Sequence, residues 1–82
     1  MTTLEQTRDV VGAAIRRIVP DADLTTLDPD TELRRAYELD SLDFLGFVEL
    51  LSQSTGVRID EDDYPDLVSL RTCQAFLQRR AT

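Results

Sequence analysis

The 82-residue chain has no histidine, no lysine and no tryptophan, a single cysteine, and only three glycines and three prolines. Without histidine or lysine only a carboxylate could take the proton of a serine hydroxyl, and no Gly-x-Ser-x-Gly turn or partnered base is visible, which argues against hydrolysis by an activated serine. Cys73 alone cannot close an internal disulfide and has no companions at metal-ligand spacing, as suits a reducing compartment. No apolar run approaches the roughly 20 residues that span a bilayer, and the opening MTTLEQTRDV lacks the basic-then-apolar order of a secretory leader. A cytoplasmic protein with no membrane contact is expected.

What is present is acid, and it is unevenly spread. A 41% hydrophobic, 30% charged composition without low-complexity runs describes one small soluble domain, residues 1–82. A chain this short buries only about 60% of its unfolded surface, so a large enclosed active site is not expected. Net charge is −7: residues 38–66 hold nine carboxylates against one arginine, whereas residues 67–82 hold three arginines and no acid. Such a field repels nucleic acid and anionic lipid and attracts proteins that carry a basic patch. The chain itself is expected to be a monomer.

Hydrophobic spacing predicts helices. Leu4, Val11, Ala14, Ile15, Ile18 and Val19 share one face of a first helix, with Thr2 and Glu5 or Thr3 and Gln6 as capping pairs and Pro20 as its stop. A polar connection from Pro20 to Leu39 follows, with isolated leucines that can pin it to a core, longer than most loops in compact domains. A second helix is predicted from Asp40 or Ser41 to just before Gly56. At about 100° per residue, Phe44, Leu45, Phe47, Val48 and Leu51 fall within an arc about 160° wide, and Leu42 and Leu50 fall outside it. Asp60 introduces the acidic EDDYPD, in which Pro65 limits any helix to one or two turns. A last helix from near Ser69 buries Leu70, Cys73, Phe76 and Leu77 and ends in Arg79 and Arg80, whose charge suits its C-terminal dipole. No alternating strand pattern competes. The expected fold is all-α, a small bundle of three long helices plus one short one.

The stretch ELDSLDFLGFVELL, residues 38–51, sets a hydroxyl between a carboxylate and a leucine where the second helix opens. Helix capping alone accounts for Asp40 as N-cap with Asp43 three positions on, Ser41 being merely tolerated. The wider order of elements says more. An amphipathic helix stopped by Pro20 leads to a long loop, then to Asp40-Ser41-Leu42-Asp43 opening a helix that runs on as FLGFVELL. Gly56-Val57-Arg58-Ile59, the acidic EDDYPDLVSL and a closing helix complete it. In this order and spacing the chain resembles an acyl carrier protein along nearly its whole length.

The resemblance implies that Ser41 receives a 4′-phosphopantetheine arm from coenzyme A by the action of a phosphopantetheinyl transferase. The arm's thiol would then carry acyl intermediates as thioesters. It implies a non-catalytic carrier whose partners are acyl-transferring, ligase or synthase enzymes with basic docking patches; the initial methionine and the length of 82 residues lead to the expectation of a freestanding one. Those patches would meet Asp40, Asp43, Glu49, Asp62 and Asp63, with Leu42 as an apolar anchor. Two departures stand out: acyl carriers often have glycine two residues before the motif aspartate, where this chain has Glu38, and Gly46 costs ~1 kcal/mol relative to alanine inside a helix. A peptidyl or aminoacyl carrier and an unmodified helical interaction module are the alternatives. DADLTTLDPDTE, residues 21–32, imitates a calcium loop but has Thr26 where the sharp turn needs glycine, and DEDD at 60–63 reads as a cap and a solvated face, so no metal site is expected.

Overall fold

Capping side chains set the ends of the long helices. In the computed structural model, which describes residues 3–81, α1 runs Leu4–Ile18. Its start is a reciprocal pair: Gln6 N–H donates to Thr3 Oγ1 at 3.0 Å and Thr3 N–H to Gln6 Oε1 at 2.9 Å. Thr2, of the alternative capping pair, lies outside the described residues. The second long helix spans Ser41–Thr55 and closes on Gly56, whose φ of +72° is the left-handed conformation that glycine adopts without strain. The last, Leu70–Ala81, opens on Ser69, whose hydroxyl accepts from Thr72 N–H at 3.2 Å while Thr72 Oγ1 accepts from Ser69 N–H at 3.0 Å.

Two short elements complete the chain. A single helical turn, α2, occupies Leu33–Ala36, so the Ser41–Thr55 helix is α3 and the last helix α4. A 3₁₀ turn spans Glu61–Asp66 around Pro65. The all-α class holds, and among the described residues the β pairing is one isolated bridge between Glu32 and Ser69. The three long helices and the short turn at EDDYPD are as expected, and α2 adds one further turn inside the connection read as a loop.

α1 packs against both α3 and α4, and the 3₁₀ turn packs against α4. Their shared core contains Val11, Ile15, Phe47, Leu51, Phe76 and Leu77, with Cys73 wholly enclosed. The connection before α3 is pinned as its leucines suggest: Leu24, Leu33 and Leu39 are buried. Its backbone is also tied to the start of α4, since Leu33 N–H donates to the Val68 carbonyl at 2.8 Å and Arg71 N–H to that of Pro29 at 3.0 Å. An Arg71–Asp30 ion pair at 2.6 Å lies beside these bonds.

Three leucines depart from the helical-face expectation. Leu4 is 58% exposed, because the core ends one turn further in, at buried Thr7; the Leu4 carbonyl accepts from Gln74 Nε2 at 2.8 Å instead. Leu45, at one edge of the predicted arc, is 42% exposed, whereas Leu50, outside the arc on the other side, packs against the core. The buried face of α3 is thus rotated toward its neighbours, and the Leu45 edge is left beside open space.

Glu38 is the one non-glycine residue with positive φ among those described, at +52°. It stands just past the end of α2, and Leu39 N–H donates to the Arg34 carbonyl at 2.8 Å, the wrapped bond of a Schellman turn. The position where the family pattern has glycine therefore keeps the glycine conformation. Glu38→Gly is expected to raise stability by about 0.5–1 kcal/mol through relief of that strain. Gly46→Ala should raise it by about 1 kcal/mol, since an added Cβ would meet only Ile18 Cδ1, at 4.0 Å. Urea midpoints check both; a drop in either variant contradicts the reading of its backbone.

Candidate functional site

Ser41 is the first residue of α3, and everything around it fixes the backbone while leaving the hydroxyl free. Buried Leu39 anchors the chain after the Glu38 turn. Asp40 then caps the helix: Asp43 N–H donates to Asp40 Oδ1 at 2.8 Å and Asp40 N–H to Asp43 Oδ2 at 3.3 Å. Both carboxylates are thus engaged with backbone donors, and neither is placed as a base for the serine. The Ser41 side chain is exposed, and its hydroxyl has no hydrogen-bond partner among the described residues.

Beside Ser41 opens a groove of about 490 Å³ between α3, the 3₁₀ turn and the α2 region. Phe44 and Leu67 underlie it, Leu45 and Val68 flank it, and Tyr64 stands edge-on to Phe44 with ring centroids 5.4 Å apart. Arg34 lies over the Phe44 ring, its guanidinium carbon 5.2 Å from the centroid. The outward face of α3 carries Leu42, 78% exposed, and one heptad later the exposed Glu49. A second, more polar groove of about 460 Å³ lies at the far end, lined by Gln6, Asp9, Ser54 and Thr55 among others.

The two acids singled out in the 3₁₀ turn differ in role. Asp62 is exposed and makes no bond within the described residues. Asp63 is engaged internally, accepting from Asp60 N–H at 3.0 Å and from Arg80 Nη2 at 2.7 Å. The Asp60 amide chiefly, with Arg80 assisting, holds the Asp63 carboxyl below the ordinary carboxylate value. The acids of the calcium-like segment do not converge either. Asp23 accepts from Thr25, Asp28 from Asp30 N–H, and Asp30 pairs with Arg71. Among the described residues no three acidic or cysteine side chains gather as a metal would require, and no helix is long and apolar enough to cross a membrane.

A family model for the phosphopantetheine attachment site matches residues 4–77. The chain belongs to that family. It is a member of the acyl-carrier-protein group, whose carriers bear covalently attached 4′-phosphopantetheine. Compared with curated proteins, the chain gives no match. Carriers of this family are non-catalytic and work with phosphopantetheinyl transferases and synthase enzymes.

The residues present fit such a group. An exposed, unpartnered hydroxyl is free to be esterified, and the groove beside it gives an arm somewhere to lie. The chain's own sulfur is not an alternative, since burial pushes the Cys73 thiol up to about 12 and keeps it protonated at neutral pH. The sequence reading missed Arg34, Tyr64 and Val68 as neighbours of Ser41. They come from three separate segments, and no local spacing signals their convergence.

The Asp63 bonds have a pH signature. A folded carboxyl held below its unfolded value adds stability at pH values above the unfolded one, and this is lost as pH falls through the folded value. Asp63→Asn is therefore expected to lower the thermal midpoint at neutral pH, with the gap to wild type closing in acid. A gap that is unchanged from pH 7 to pH 2 would contradict the assignment.

Proposed function

We propose that Ser41 is the attachment residue and that the chain is a cytoplasmic acyl carrier of fatty acid, polyketide or related specialised metabolite biosynthesis. The observation that carries the reading is the placement of Ser41: first residue of a capped helix, exposed, with an unpartnered hydroxyl, in a chain matched over residues 4–77 by the attachment-site family. Phosphopantetheinyl transfer moves the phosphopantetheine group of coenzyme A to Ser41 Oγ, with loss of the serine proton and release of adenosine 3′,5′-bisphosphate. The α3 dipole favours the resulting phosphodiester and the like charge of Asp40 and Asp43 opposes it, each by about 0.3–1 kcal/mol, so neither decides the attachment. Docking by the transferase does.

The arm's thiol then holds acyl groups as thioesters, and the chain's own residues serve presentation and recognition. Leu42 offers an exposed apolar contact, and Asp40, Asp43, Glu49 and Asp62 supply charge around it for enzymes with basic patches. Charge complementarity of this kind speeds encounter without a large buried area, which suits a carrier that must release each partner. Asp63, already engaged with Arg80, contributes to the field more than to direct contact.

Incubation with coenzyme A and a broad-specificity phosphopantetheinyl transferase should add one phosphopantetheine mass to the intact chain and none to Ser41→Ala. The transfer rate should fall as salt rises, and again in Glu49→Arg and Asp62→Arg. An unmodified wild-type chain, or a mass gain that survives Ser41→Ala, would overturn the proposal and favour an interaction module that is never loaded.

A further inference from the structure

We propose, on the reading that Ser41 bears the arm, that Arg34 is the counter-ion of the arm's phosphodiester and directs its proximal part into the adjacent groove. Arg58, Arg71, Arg79 and Arg80 are committed to carboxylates. Arg34 forms no ion pair among the described residues, yet it is not left loose: the Phe44 ring holds its guanidinium at 5.2 Å. It also borders the same groove as Ser41, where it is the cation of the lining and Glu32 the carboxylate.

The chemistry of the arm matches the groups that line this groove. Nearest the serine comes the phosphodiester, a singly charged anion in a neighbourhood otherwise carrying Glu32, Asp40 and Asp43. A planar guanidinium fork offers paired donors to two phosphate oxygens, and its stacked position limits the freedom it would lose on doing so. One methylene further along the arm comes a carbon bearing two methyl groups, and the groove that Arg34 borders is lined by the side chains of Phe44, Tyr64 and Val68. The polar amides and the thiol follow further out. Arg34 is thus a positioning residue: it gives the thiol end a defined starting place without touching the thioester.

The test uses intact chain loaded with phosphopantetheine, each preparation first verified by mass. Proton NMR then reads the arm's two methyl resonances. In wild type the rings of Phe44 and Tyr64 should shift them upfield from their position in free coenzyme A. The shift should be lost in Arg34→Ala, be partly kept in Arg34→Lys, and shrink as salt rises. Amide spectra of the variants verify that the fold is retained. Equal shifts in wild type and Arg34→Ala, or wild-type methyls at the free position, would overturn the proposal while leaving Ser41 as the attachment residue. A wild-type chain that gains no mass would remove the Ser41 reading and this one with it.

Discussion

The site depends on one reciprocal interaction, the exchange of backbone hydrogen bonds between Asp40 and Asp43. An N-cap of this kind typically contributes ~1 kcal/mol, a modest amount, yet it decides where α3 begins. Were the helix to begin one residue later, the serine would be the cap, its oxygen engaged with an amide; one residue earlier and it would lie inside the first turn. The left-handed Glu38 and buried Leu39 bring the chain to the cap from a fixed direction. The α2 region they terminate is tied to the start of α4 through Leu33 and Arg71. Backbone certainty around an uncommitted hydroxyl is the physical content of the site.

That arrangement suits a protein whose reactive group comes from outside. No side chain near Ser41 is placed as a base, and Cys73 is enclosed by α4's core neighbours with its thiol held protonated. The acidic segment carries most of the negative charge, but its members divide by role. Asp40, Asp43 and Asp63 do structural work through backbone amides, while Glu49 and Asp62 are left to the solvent.

Much of this was legible in the sequence, for reasons that are local. The three long helices, the capping boxes that open α1 and α3 and the Gly56 stop follow from residue types at fixed offsets, which act over a few residues whatever the tertiary context. α2 was not legible, because its C-terminal turn uses Glu38 where glycine would have signalled it, and because one turn of helix is tied here by a long-range bond from Leu33 to Val68 and not by its own pattern. Leu45 and Leu50 exchanged places relative to expectation since periodicity gives an arc but not which neighbours cover its edges. The groove partners Arg34, Tyr64 and Val68 belong to segments that only the folded chain brings together.

The central claim is that the working sulfhydryl is borrowed and the native one is sealed. Counting thiols that react with a small aromatic disulfide reagent in the native chain, before and after loading with coenzyme A and a transferase, tests it most directly. The account predicts none before and one after, with the same gain in Cys73→Ser. A reactive thiol in the unloaded native chain, or no gain on a chain whose mass shows it loaded, would contradict it.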